Sequence, residues 1–372
     1  MLNIKNTNAS GPDASSVVEK AVNSIKQDET KLVIFFASTK YDFNEVSKLF
    51  KDNFQDIDVI GCTTAGEIGP DGFVEGNISA ISIAADDFET STYVMKNIKT
   101  KSMMARNDLI KTAEKIGIKT SDSENGFIIT LIDGMQASEE KVMNAIASSF
   151  TNFPLVGGSA GDDLNFQQTF VSANGDVYTD AAVITFVRTS KKFFLYKENI
   201  YVPTDIEFKV TGIDISRRAI TELNGKPAAE EYAKALGVSV EDLPNHFMRN
   251  PLGRVILDNI FITAPREIID NNGIAFYSLT LKDTIVKLLK PINAVEEARK
   301  TVQAIKQNLP DCKGVILFNC ILRYLQFKNE NICKEVSDEF AGCGSICGFS
   351  TYGEQLNNLQ VSQTLTLIAF GE

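Results

Sequence analysis

A single histidine, His246, stands in 372 residues, and tryptophan is absent altogether. The missing tryptophan decides nothing. The single histidine decides more: chemistry built on two imidazoles is excluded, and a serine triad or an axial haem ligand would have to recruit this one side chain. No run approaches the roughly 18 apolar residues of a spanning helix. The opening MLNIKNTNASGPDASS lacks the apolar stretch of a signal peptide. None of the six cysteines (Cys62, Cys312, Cys320, Cys333, Cys343, Cys347) forms a C-x-x-C pair. Reduced thiols in a cytoplasmic protein, with no membrane insertion, are therefore the expectation. The P-loop pattern is absent. Positive charge is in short supply, 37 Lys and Arg against 48 Asp and Glu for a net −11, which argues against a nucleic-acid footprint.

What is present suits two packed domains, since 44% of the chain is hydrophobic. Val18, Ala21, Val22 and Ile25 share a helical face behind Asp13 or Ser15 as caps. KLVIFFAS reads as a buried strand, DFNEVSKLFKDNF as a helix and IDVIGC as a second strand, the order of a parallel strand–helix–strand unit. NISAISIAADDF comes at once and should return antiparallel. The grammar recurs with GFIITLIDG, SEEKVMNAIASSF and PLVGGSAGDD. It recurs again from KGVILFNC through a helical segment at Ile332 to Phe340 into SICGFSTYGE. The second-strand turns fall 28 to 33 residues after the first-strand starts. We read this as α/β, with mixed sheets, flanking helices and repeated strand–helix–strand–turn units, arranged as two related domains by duplication. Between the second and third rounds, a strand should turn at Asn224-Gly225 and a helix run from Pro227 to about Leu236. VSVEDLPNHFMRNPLGR reads as loop, and FITAPREI and IAFYSLTL as strands. The boundary falls between about Lys191 and Asn224.

Two turns share the pattern G-x-[Thr/Ser]-Thr-x-Gly-Glu: GCTTAGE at 61–67 and GFSTYGE at 348–354. Glycine turns at strand ends let the backbone approach a ligand and expose N–H donors. Thr63, Thr64, Ser350 and Thr351 add hydroxyls, Glu67 and Glu354 add acids, and Asp162 and Asp163 supply acids in the middle turn. Tyr352 and Gly353 would complete an aromatic wall and a close approach. The alternative is structural: the threonines cap backbone N–H groups and the glutamates bond neighbouring turns.

VIGCTTAGEI, PLVGGSAGDD, ELNGKPAAEEY, FNCILR and GFSTYGEQ together make the chain resemble FIST proteins, from about Lys31 to Phe370. The resemblance implies residues 1–205 as a FIST N-like domain, with its core from about 31, and 206–372 as a FIST C-like domain. It implies an intracellular sensory module in signal transduction that binds a small polar ligand, an amino acid or similar metabolite, without transforming it. It also singles out Arg323, beside Asn319 and Cys320, as the guanidinium for a ligand carboxylate. The chain ends just after its last strand, so a separate signalling protein such as a histidine kinase or chemoreceptor is the expected partner.

Two rivals stand beside this reading. GGSAG at 157–161 fits a hydrolase elbow, with Ser159 as nucleophile and His246 as base, but the residues after it read as loop and strand where an elbow needs a helix. A haem-binding nitric-oxide sensor is the other, because some relatives are so described; Cys320, Cys343, Cys347 or His246 would be axial ligands. Apart from haem no cofactor is expected, no metal, and no catalytic residue.

Overall fold

The computed structural model describes residues 1–120, 125–257 and 259–372. The chain forms two compact units. The first comprises Met1–Glu198, Ala298–Gln360 and Leu365–Glu372, the second Asn199–Glu297 and Val361–Thr364. The class is mixed α/β as the sequence indicates, and all three strand–helix–strand rounds lie in the first unit.

Each round is a module of that unit. The first pairs strands Thr30–Ala37 and Asp58–Thr63 in parallel across helix Phe43–Asn53. The second pairs Gly126–Ile132 with Leu155–Ser159 across helix Glu139–Ala147. The third pairs Cys312–Cys320 with Ser345–Thr351 across helices Ile321–Glu330 and Cys333–Phe340. An antiparallel return strand flanks each first strand: Ile78–Ala84, Ala181–Thr189 and Leu365–Gly371. The expected antiparallel return of NISAISIAADDF is the first of these.

The modules are interlocked. After its second strand each sends a short arm into a different module's sheet. Arm Glu67–Gly69 pairs with Ser345–Thr351, arm Val171–Ala173 with Asp58–Thr63, and arm Gly353–Leu356 with Leu155–Ser159. The registers agree: Glu67 faces Phe349, Glu354 faces Gly158 and Val171 faces Cys62. The backbone closes a matching ring, in which the Ala65 N–H donates to Ser350 (3.2 Å), Tyr352 to Ser159 (3.0 Å) and Gly161 to Thr63 (3.0 Å). The first unit is thus a pseudo-threefold arrangement built by cyclic exchange of strands.

Burial explains why the sheets come together. Their facing sides form one apolar core containing Phe36, Cys62, Ile129, Leu131, Val156, Phe318 and Phe349. Phe36 stacks on Phe349 at 4.6 Å and meets Phe318 edge-on at 6.2 Å, arrangements that suit the ring quadrupole. The outer faces are covered by amphipathic helices, which is why the strands read as continuous apolar runs. Val17, Val18, Ala21, Val46 and Phe50 cover the first sheet, and Val142 and Ile146 the second. The first helix begins at Ala14 behind Asp13, whose carboxylate accepts the Ser16 N–H at 2.8 Å.

The second unit is an antiparallel sheet whose strands run, in spatial order, Asn259–Thr263, Leu252–Ile256, Ile285–Pro291, Tyr201–Asp214, Ala219–Leu223, Gly273–Phe276 and Pro265–Ile269. Asn224 (φ 53) and Gly225 (φ 78) make the expected tight turn. Helix Ala228–Leu236 starts after Pro227 and ends on Gly237 in the left-handed region (φ 72). Tyr232 anchors it against Phe208 and Phe247. The stretch read as pure loop contains a short 3-10 turn, Leu243–His246, and the start of strand Leu252–Ile256. No helix among the described residues is long and apolar enough to cross a membrane.

Candidate functional site

The repeated turns have the same inner bond. The Thr64 hydroxyl donates to Glu67 Oε1, and the Thr351 hydroxyl to Glu354 Oε1 at 2.6 Å. Glu67 Oε2 also accepts the Asn77 N–H at 2.9 Å. All four side chains are fully buried. Burial pushes the Glu67 carboxyl up to about 8, with nearby Asp163 and Glu75 adding to the shift against the Thr64 and Asn77 hydrogen bonds. Glu67 is therefore mostly protonated at neutral pH. The two glutamates sit on arms that join different sheets.

The middle turn departs from the pattern. Three residues separate Thr63 from Glu67 and Ser350 from Glu354, but eleven separate Ser159 from Val171. The register therefore puts Val171, not Asp162 or Asp163, in the place of the two glutamates. Asp162 instead staples the added loop, accepting N–H groups from Phe166 (2.9 Å), Gln167 (2.6 Å) and Gln168 (3.0 Å). It also accepts the Tyr352 hydroxyl at 2.6 Å, and burial, helped by this bond, pushes that phenol's pKa up. The half-exposed Phe166 ring stacks on Tyr352 at 5.2 Å. Asp163 accepts the Ser38 hydroxyl and the Thr39 N–H and hydroxyl.

Arg323 lies in the first turn of a helix that starts directly after strand Cys312–Cys320. The sequence pattern puts it merely beyond the strand end and does not reveal that helix. Its side chain is 1% exposed. Nη2 donates to Glu198 Oε1 and Nε to Asn319 Oδ1 at 2.9 Å, while Glu198 Oε2 accepts the Thr301 hydroxyl at 2.7 Å. The guanidinium also lies over the Phe327 ring, 5.3 Å from its centroid. Nη1 is buried with no hydrogen-bond partner among the described residues. Arg323 lines a cavity of about 20 Å³ with Ile68, Phe73, Asn319, Ser337 and Phe340, room for one ordered water. Gly69, Phe73, Ser337 and Ile346 also line a groove of about 620 Å³ that carries Asp71, Lys334 and Asp338. That volume is within the usual range for small-molecule sites.

The structure thus places Asn319, Cys320 and Arg323 in one corner of the third module. Thr63 and Ser350, with their neighbours Thr64 and Thr351, stand in the backbone ring where the modules meet. Tyr352 and Asp162 bond each other. Ser350 Oγ is fully buried with no partner among the described residues. Gly66 (φ 118) runs beside it, since a Cβ there would lie 3.5 Å from that oxygen and 3.3 Å from the Tyr324 ring. Sequence reasoning missed Glu198 and Thr301, and the only signal was one acid closing the apolar strand KFFLYKE.

The hydrolase reading lacks its elbow. Ser159 ends its strand, and no helix comes after it as an elbow demands. Its fully buried hydroxyl accepts from Gln355 Nε2 at 3.1 Å and meets Glu139 Oε1 at 3.5 Å. His246 pairs with Asp242 at 3.2 Å within its own turn. Burial pushes the Cys347 thiol up to about 12, and Cys343 sits beside Cys312. Among the described residues no group of three or more His, Cys, Asp and Glu is placed to hold a metal ion.

Known proteins bear on this geometry through their sequences more than through their structures. The FIST N domain profile matches residues 31–226 and the FIST C domain profile residues 228–357. An uncharacterized protein of Methanocaldococcus jannaschii is 24% identical over 336 residues. That match takes in 85% of this chain but 63% of the relative's length. Among solved structures, a chorismatase is similar over 100% of this chain and 98% of its own, with 5% identity and a TM-score of 0.36. A cyanuric acid hydrolase from A. caulinodans is similar over 64% of this chain and 77% of its own, with 10% identity and a TM-score of 0.29. Likenesses at this level say nothing about chemistry.

Proposed function

Because the chain belongs to the FIST family, whose domains are associated with sensory signal transduction, we propose that its first unit recognises a small polar metabolite, an amino acid first among them. A separate signalling protein would read the bound state. The supporting observation is the pairing of an open groove with a buried guanidinium N–H group that lacks a partner among the described residues. An unpaired buried donor costs roughly 1–3 kcal/mol, so a ligand oxygen or a water relaying to one recovers free energy on binding. Glu198 already neutralises Arg323. The anchor therefore acts as a hydrogen-bond donor for an oxygen, and not as a full positive charge for a carboxylate. Asp71 on the groove wall suits an ammonium group. Binding there would bias the arm Glu67–Gly69 against helix Cys333–Phe340, which line the groove together, and so change the surface offered to a partner.

The test is a thermal-shift screen with amino acids and related metabolites on the wild type, Ser337→Phe and Asp71→Asn. A ligand present at a hundred times its Kd stabilises by about 2.7 kcal/mol. Ser337→Phe, which fills the groove floor, should abolish that shift, and Asp71→Asn should weaken it for ligands carrying an ammonium group. A shift that survives Ser337→Phe undiminished would place the site elsewhere.

A further inference from the structure

Two thiols outside this groove are brought together by the third module. Cys312 opens strand Cys312–Cys320, and Cys343 closes the 3-10 turn Ala341–Cys343 that leads into strand Ser345–Thr351. The parallel register pairs Gly314 with Ser345, so each cysteine precedes its strand's paired residue by two positions. Gly344 makes the approach close. Its backbone is in the positive-φ region (φ 80), and a Cβ there would lie 2.3 Å from the Lys313 carbonyl oxygen. Only glycine lets the turn lie flat on the strand at that point. The Cys312 thiol consequently donates to the Cys343 carbonyl at 3.2 Å, which sets the two cysteines side by side.

We propose that Cys312 and Cys343 form a reversible disulfide in response to hydrogen peroxide or a similar two-electron oxidant. The two sulfurs are unequal in the way such a pair requires. Cys312 is partly exposed and Cys343 buried. The hydrogen bond from the Cys343 thiol, with help from backbone groups of Gly314 and Phe370, holds Cys312 below the usual thiol range. The same contact and burial push Cys343 up, with Lys306 opposing. Because an oxidant reaches the partly exposed sulfur first, Cys312 is the nucleophile and the buried Cys343 the resolving thiol. The Cys312 thiolate attacks one peroxide oxygen and the O–O bond breaks, giving a sulfenic acid and hydroxide. The Cys343 sulfur then attacks the sulfenic sulfur, the S–S bond forms, and the oxygen leaves as water. In total two thiols lose two electrons and two protons, and the peroxide becomes two waters. A small thiol such as glutathione would reverse the step by exchange.

The other partly exposed thiol, Cys333, is the natural competitor, and burial raises its pKa. The full chain is treated with hydrogen peroxide or with a phosphine reductant, alkylated, digested and mapped by mass spectrometry. The expected result is loss of two of the six thiols, a linked Cys312–Cys343 peptide pair, and its disappearance on reduction. Cys343→Ser should trap Cys312 as a sulfenic acid labelled by dimedone, while Cys333→Ser should behave as the wild type. The proposal is overturned if Cys333 takes the oxidant while the Cys312 and Cys343 peptides remain alkylated. It is equally overturned if wild-type Cys312 accumulates as a sulfenic acid without linkage. Because the wild-type map decides, a variant that fails to fold does not blunt the test.

Discussion

Arg323→Ala should unfold at markedly lower denaturant than the wild type, with a stability loss of roughly 3–5 kcal/mol. The reason is the group left behind. Glu198 is 2% exposed and, among the described residues, would keep the Thr301 hydroxyl alone to offset a buried negative charge. Replacing both partners, as Arg323→Met with Glu198→Leu, should recover most of the loss, because two apolar side chains need no mutual compensation. Chemical denaturation of Arg323→Met, Glu198→Leu and the double variant, beside Arg323→Ala, checks this as a double-mutant cycle. A loss below about 1 kcal/mol for Arg323→Ala would mean the ion pair contributes no more than a surface one. A destabilisation of this size also rules the substitution out as a probe of ligand binding, since its effect on folding would dominate any readout.

The second large effect concerns pH. The Glu67 carboxyl titrates near 8 in the folded chain against an ordinary value of 4.5. Between those limits the folded state holds a proton that the unfolded state has released. Its stabilising effect is therefore fully present below about pH 4.5 and is lost as pH rises towards 8. Over pH 5 to 8 the wild type should lose roughly 3 to 4 kcal/mol through this group. Glu67→Gln should lack that slope while keeping both bonds, its oxygen accepting from the Asn77 N–H and its amide donating to the Thr64 hydroxyl. Urea unfolding at pH 5 and pH 8 compares the two proteins. Parallel slopes would show that Glu67 ionises normally.

How far the sequence revealed these features depends on their range. The strand–helix–strand rounds were legible because long apolar runs and amphipathic helices carry strong periodicity. The repeated Thr and Glu positions were legible because both copies place them three residues apart, but the bond that each threonine makes to its own turn's glutamate was not read from them. The exchange of arms was not legible either. A three-residue strand such as Glu67–Gly69 has no period to detect, and its partner Phe349 lies far along the chain. The N-terminal strand Asn3–Ala9 hid for another reason: as an edge strand it alternates buried and exposed positions, and so it reads as polar. The family resemblance singled out Arg323 as an anchor for a ligand carboxylate, but its counter-ion lies 125 residues away and no local pattern marks it. Likewise, matching the middle turn to its siblings by composition picked Asp162, whereas hydrogen-bond register selects Val171.

The cyclic exchange also bears on synthesis. Strand Leu155–Ser159 is made long before residues 353–356, the arm that covers its edge. Until that arm is translated, the second sheet presents an open row of N–H and C=O groups flanked by apolar side chains, the kind of edge that pairs with a neighbouring chain. A nascent chain, or one truncated before Gly353, therefore carries an exposed hazard that the finished molecule does not have. Its yield in cells should depend on chaperone holding during the last part of translation more than on the stability of the completed fold.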